Sequence, residues 1–176
     1  MVNLGNHGNL CAIKFMKLSV QLVTWNGGKY IPYLFDSLRK QTFSDWQLII
    51  LDNASSDDTL EKIKQELTNF PFSYQIIANK ENKGFAGGHN QLWDGGRGTG
   101  NGELVLLLNQ DMYLMPDCLE KMIRFMDENS DVAGVSPRLM RWDFGSLPLT
   151  KRENKRELAG DLVSNFSATP PTPSWK

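Results

Sequence analysis

The chain has little with which to build a redox or metal centre of its own. Its 176 residues include two cysteines, Cys11 and Cys118, far apart and without metal-type spacing. They read as free thiols in a reducing compartment. Histidine is as scarce, with two, and His89 has no partner at ligand spacing, so it reads as a helix-surface residue rather than a base. A surplus of charge is also missing: 19 Lys+Arg stand against 20 Asp+Glu. With no basic block, a nucleic-acid or other polyanion partner is not expected. No apolar run approaches the roughly 18 residues of a spanning helix. The opening stretch MVNLGNHGNLCAIKFMK has no continuous apolar core, which argues against a signal peptide.

What is present is 40% hydrophobic content, enough for one domain with a proper core. KLSVQLVTW, WQLIILD, SYQIIA and ELVLLLN are short apolar runs and predict four strands. Between the first two, Ile31, Leu34, Phe35 and Leu38 recur at helical spacing, with Pro32 in the first turn. Leu60, Ile63, Leu67 and Phe70 form a second stripe that ends at Pro71, and Leu119, Met122, Ile123 and Met126 form another in a helix opened by Pro116. NKENKGFAGGHN reads as a loop entering a weaker helix through Leu92 and Trp93, and GGRGTGNG as an exposed turn or flexible loop. DVAGVSPRLM, residues 131–140, is a candidate fifth strand.

The order predicts an α/β fold with a mostly parallel central sheet and helices on both faces. Residues 1–16 read as an N-terminal extension with Met16 as a candidate start, 17–142 as the working part, and 143–176 as an irregular or truncated segment ending in a Pro-rich tail.

Within LVLLLNQDMYLMPD, five apolar residues give way to Asn109 and then Asp111. The acid either meets water where a strand surfaces or is delivered to a site. The other strands also end in polar residues: Thr24-Trp25-Asn26, Asp52-Asn53, and Asn79 with Asn82-Lys83-Gly84. In open α/β sheets, ligands bind beyond the carboxyl ends of the strands. Carboxylates there suit a hard divalent cation shared with phosphate oxygens. Such a cation would offset the charge that develops on a diphosphate leaving group.

The segments SVQLVTWN, LIILDNASSDDT, NKGFAGGHNQ and LLLNQDMYLMPDCL resemble, in order and spacing, the successive motifs of glycosyltransferase family 2 over roughly residues 17–140. The T-W-N and N-x-D forms resemble its rhamnosyltransferase-like branch. The resemblance implies a GT-A fold and inverting transfer of a sugar from a nucleotide diphosphate, either dTDP-rhamnose or a UDP-sugar, in bacterial cell-surface polysaccharide synthesis. It implies that Thr24, Trp25 and Asn26 line the nucleoside pocket and that Asp52 hydrogen-bonds the base, with Asn53 and Ser55 in the same loop. Lys83, Gly84 and Asn90 would face the nucleotide, although Lys83 could equally be solvated. Asn109 takes the first place of the D-x-D motif, and Asp111 would contact Mg²⁺ or Mn²⁺. Asp57 and Asp58 read instead as caps of the following helix, and Trp46 and Trp93 as packing residues.

The implied partners are a nucleotide diphosphate sugar and a saccharide or lipid-linked saccharide acceptor. The implied place is the cytoplasm, with peripheral association at the inner face of the membrane as an extension of that reading. Inversion needs a general base, and none of the acids after Asp111 stands in a base motif. The chain therefore reads as the donor-binding part of a longer enzyme. The alternative is a nucleotide-sugar-binding module that performs no transfer. A nucleotidyltransferase ranks lower, because only Gly27-Gly28 and Lys29 follow the first strand.

Overall fold

The computed structural model describes residues 16–94 and 102–140. Among these, residues 16–39, 44–94 and 102–113 form one compact unit, and residues 40–43 and 114–140 form a second.

The first unit holds four strands, β1 (Met16–Thr24), β2 (Trp46–Asp52), β3 (Ser73–Ala78) and β4 (Gly102–Asn109). All neighbours pair in parallel, in the order β3-β2-β1-β4. Helices α1 (Ile31–Arg39), α2 (Thr59–Leu67) and α3 (Gly84–Asp94) fall between successive strands. The expected parallel α/β sheet is thus present.

Its two faces are covered by different helices. Side chains alternate along a strand, and β2 shows both sides of the alternation. Trp46 stacks edge-on against Phe70, which also meets Phe35 of α1. Ile49 and Leu51, on the other face, cluster with Val23 of β1 and Leu92 of α3. Both faces of β1 and β2 are therefore buried, the pattern of a strand with helices on each side, and on one face of β1 the buried side chains include polar Ser19 and Gln21. The outer strands are more open, with Tyr74, Ile76 and Leu107 exposed.

The predicted α1 stripe of Ile31, Leu34, Phe35 and Leu38 is fully buried, and Pro32 sits in its first turn. In the last turn Arg39 reaches α2, donating to the Glu66 carbonyl (2.6 Å) and pairing with its carboxylate (2.7 Å).

Helix α3 differs from expectation. GFAGGHN is not a loop: the helix begins at Gly84 and contains all three glycines. Glycine is a poor helix former, but Gly88 lies where α3 meets the sheet. A Cβ there would come within 2.9 Å of Val23 Cγ1. The close approach outweighs the weak propensity.

In the second unit, α4 (Cys118–Glu128) buries Leu119, Met122 and Ile123 as predicted, but starts two residues after Pro116. The Gln41 side chain steadies its entry, accepting from the Leu119 N–H (3.1 Å) and donating to the Met115 carbonyl (2.9 Å). Cys118 is a free thiol; burial and then the neighbouring Asp117 push its pKa up to about 11. The fifth strand expected in 131–140 is absent. The Val132 N–H closes a turn on the Asn129 carbonyl (3.0 Å), Pro137 has no N–H to give a ladder, and Leu139 and Met140 are exposed. The expected extension before Met16, the expected glycine-rich turn over residues 95–101 and the segment 143–176 lie outside the described residues. No helix among the described residues is long and apolar enough to cross a membrane.

Candidate functional site

The parallel register sets the carboxyl ends of β1, β2 and β4 level with one another. Thr24 pairs with Asp52, and Val23 with Asn109. Asp52 therefore ends one neighbour of β1, and Asp111 follows the end of the other. The strands they extend are about 10 Å apart, twice the usual strand spacing. Both acids belong to one rim of one sheet.

The residues of this rim fall into two groups. Thr24, Asp52 and Asn53 are buried. Asp52 Oδ1 accepts from the Thr24 hydroxyl (3.0 Å) and the Ser55 hydroxyl (2.6 Å), and Oδ2 accepts from the Ser55 N–H (3.0 Å). The side chain of Asn53 uses all of its hydrogen-bonding capacity within the protein. Nδ2 donates to Asn82 Oδ1 (2.8 Å) and the Gly84 carbonyl (3.0 Å), while Oδ1 accepts from the Lys83 N–H (3.0 Å) and Asn79 Nδ2 (3.2 Å). Asn53 thereby ties the β3–α3 loop to the end of β2.

The second group faces solvent. Trp25 is 53% exposed, and Asn26, Lys83, Gly84, Asn90, Asn109 and Asp111 are exposed as well. Asp111 makes no hydrogen bond or ion pair with another described residue, so its carboxylate is free for a ligand. Asn90 projects from α3 without joining the polar network of the loops. Trp46 is in the core and Trp93 on the surface.

The turn after β1 is held almost atom by atom. The Asn26 N–H donates to Ser55 Oγ (3.0 Å), that of Gly27 to Thr59 Oγ1 (2.8 Å), and that of Gly28 to Asp57 Oδ2 (3.2 Å). Asn26 itself has φ 47°, a left-handed conformation that asparagine tolerates better than most residues. Its Oδ1 returns a bond by accepting from the Ser56 N–H (2.8 Å). Asp57 accepts from the N–H of Thr59 (3.1 Å) and from its hydroxyl in a short contact. Burial works to raise the Asp57 carboxyl; these bonds and the one from Gly28 outweigh it and hold the group below its ordinary value. Asp58 does not cap α2 through its side chain and pairs with Lys62 (2.9 Å) instead.

Sequence reasoning missed two residues. Gln110, the middle of the N-x-D motif, takes the Trp25 N–H on Oε1 (2.9 Å) and donates Nε2 to the Trp25 carbonyl (3.0 Å). A Cβ at Gly27 would lie 2.2 Å from Gln110 Oε1, so glycine is needed for this approach. No local pattern announces a contact across 85 residues. The other is His89, which is 6% exposed and not on the helix surface. Its Nδ1 lies 3.4 Å from Gln21 Oε1 and its ring packs edge-on against Phe85. Nε2 is buried without a partner, so a second N–H there would have no acceptor. Burial accordingly lowers the His89 pKa.

The linkage sign follows. Below about pH 6.5 the unfolded chain takes up a proton that folded His89 refuses until a lower pH. Stability is complete above that value and is lost as pH falls through the window. The thermal midpoint of the wild type should fall more between pH 7 and 5 than that of His89→Leu. Equal pH slopes in a melting series would refute the assignment.

Among the described residues there is no group of three or more His, Cys, Asp or Glu able to hold a metal ion. The rim offers one free carboxylate. That fits a cation drawing most of its ligands from a diphosphate and water, the usual manner of Mg²⁺; it does not fit a cage built by protein alone.

The profile described as Glycosyl transferase family 2 matches residues 19–173. The putative glycosyltransferase EpsE of Bacillus subtilis is 26% identical over 127 residues, 72% of this chain and 44% of that protein. A crystal structure of Staphylococcus aureus TarS 1–349 in complex with UDP-GlcNAc superposes with TM-score 0.56 at 27% identity, covering 65% of this chain and 32% of that one. The mannosyltransferase PcManGT of Pyrobaculum calidifontis, in complex with GDP-Man and Mn²⁺, shares the fold, with TM-score 0.56 at 18% identity over 64% of this chain and 32% of its own. The chain spans less than half the length of each of these relatives. A parallel sheet with its polar loops gathered on the carboxyl rim, matched by a profile over most of its length, places the chain in glycosyl transferase family 2.

Proposed function

We propose that this chain is the donor-binding part of an inverting glycosyltransferase that takes its sugar from a nucleotide diphosphate and delivers it to a saccharide acceptor in cell-surface polysaccharide synthesis. The observation that carries the reading is the placement of Asp52 and Asp111 at the level ends of the two strands flanking β1. Exposed Trp25 and Asn26 receive the nucleoside between them. Buried Asp52 shapes that pocket through Thr24 and Ser55, and Asn53 holds the Lys83-Gly84 loop against it. Lys83, Asn90 and Asn109 supply polar contacts around the diphosphate. Asp111 anchors one side of a Mg²⁺ or Mn²⁺ ion, which supplies positive charge against the departing diphosphate. The T-W-N and N-x-D forms favour dTDP-rhamnose as donor, whereas the likeness to TarS favours a UDP-sugar.

Calorimetry with UDP-, GDP- and dTDP-sugars, with and without cation, tests this directly. Asp111→Asn should abolish the gain in affinity that cation confers, about tenfold or more, and leave cation-free binding and the melting temperature unchanged. A variant with full metal dependence would remove Asp111 from the role. A second reading, a binding module without transfer, is favoured by two of the described later acids, which are already engaged within the protein. Asp117 is paired with Lys121 (2.7 Å) and Glu120 accepts from Thr42 (2.6 Å). Donor binding with neither hydrolysis nor transfer would decide for that reading.

A further inference from the structure

Backbone pairing between β1 and β4 ends at Val23 and Asn109. Beyond it, a parallel ladder would need the N–H and C=O of one residue to find partners on the neighbouring strand. Trp25 has that pair, and the chain after Asn109 has already turned away. The Gln110 side chain fills the gap. Its amide lies against the Trp25 peptide, accepting at 2.9 Å and donating at 3.0 Å. It acts as one more rung, made by a side chain.

This rung differs from the other supports of the turn. Asn26, Gly27 and Gly28 are held by Ser55, Thr59 and Asp57, from the β2–α2 loop and the first residue of α2. Gln110 alone among these anchors comes from the β4 side, and it is covalently next to Asp111. Moving the Gln110 backbone moves Asp111 with it, and the two amide bonds transmit that position to Trp25.

We propose that Gln110 is a positioning residue that joins the Trp25–Asn26 turn to the Asp111 loop, so that the nucleoside side and the diphosphate side of the pocket are in register before a ligand arrives. The inference rests on the nucleotide-sugar reading above and adds a residue to it. Its chemistry is that of a primary amide: one acceptor and one donor presented in a plane. A carboxylate supplies the acceptor but not the donor, and it faces the Trp25 carbonyl with like partial charge. A protonated carboxylic acid restores both, and the hydrogen bond to the neutral form favours protonation.

The test uses the full chain, Gln110→Ala, Gln110→Glu, and UDP, GDP and dTDP as probes. In ligand-free protein, amide exchange read by NMR should quicken at Trp25 by about tenfold or more in Gln110→Ala, with Gly27 and Gly28 unchanged. At pH 7.5 both variants should bind the preferred nucleoside diphosphate about tenfold more weakly than wild type. At pH 4.5, each compared with wild type at that pH, Gln110→Glu should recover to within about threefold and Gln110→Ala should not. A general loss of packing would not produce recovery confined to the titratable variant. Unchanged Trp25 exchange, wild-type affinity in Gln110→Ala, or a Gln110→Glu that tracks Gln110→Ala at both pH values would each overturn the inference. Should the unaltered chain bind none of the three probes, the nucleotide-sugar reading falls, and the donor-site role of Gln110 with it. The exchange result is independent of that outcome and tells the two failures apart.

Discussion

Replacing Asp52 with alanine should cost the fold about 2–4 kcal/mol and at the same time weaken nucleoside diphosphate binding without cation by at least tenfold. The first effect follows from burial. Asp52 is 2% exposed and takes bonds from the Thr24 hydroxyl, the Ser55 hydroxyl and the Ser55 N–H. Removing one acceptor strands several donors away from water, and each stranded group costs about 1–3 kcal/mol before relaxation. The second effect follows from what Ser55 holds, because its hydroxyl also receives the Asn26 N–H. Losing Asp52 loosens the turn that carries Trp25 and Asn26. Denaturant unfolding with an unchanged slope reads the stability change, and calorimetry well below the melting temperature reads binding. Thr24→Val, which removes a single hydroxyl, sets the scale at about 1 kcal/mol. A loss in Asp52→Ala no larger than that would mean that the network contributes little.

Gly88→Val should cost about 3 kcal/mol, because the space beside α3 is already filled. A Cβ at this position meets Val23 Cγ1 at 2.9 Å, Val23 Cγ2 at 3.2 Å and Leu51 Cδ2 at 3.6 Å. Val23 is buried and β-branched, so it has little rotamer freedom to give. Gly88→Ala should cost less, about 1 kcal/mol, since better helix propensity offsets part of the crowding. The contact can be isolated by pairing substitutions. Val23→Ala alone leaves a cavity and should cost about 2 kcal/mol, yet combined with Gly88→Ala the total should fall short of the sum by about 1 kcal/mol. Strict additivity would show that α3 can lift off the sheet without loss.

How far the fold could be read in advance depended on whether its cause was local. The β1 and β2 runs are mostly apolar because both faces are covered, and the α1 stripe repeats at helical spacing. Burial and periodicity are written in consecutive residues there. The GFAGGHN stretch misled because its glycines speak of a loop, while the reason for Gly88 lies in Val23, far away in sequence. His89 misled in the same way: surface and interior look alike when a helix carries a weak stripe. At 131–140 the apolar content was real, but a strand also needs a neighbour to pair with. The polar strand ends were visible one by one, and so was their gathering on one rim once a parallel sheet was assumed. The bonds that lock the rim were not visible, since Gln110 and Asn53 act on chain segments 85 and 26–31 residues distant.

The strand order also imposes a timetable on biosynthesis. Of the described strands, the earliest in the chain becomes an inner one, bordered by β2 and by β4, which is made some eighty residues later. Until β4 has left the ribosome, one edge of β1 keeps its backbone N–H and C=O groups without the β4 partners they later pair with. Nascent chains halted before residue 102 should therefore recruit holdase chaperones, whereas chains that have released residue 113 should shed them as the β1–β4 pairing closes.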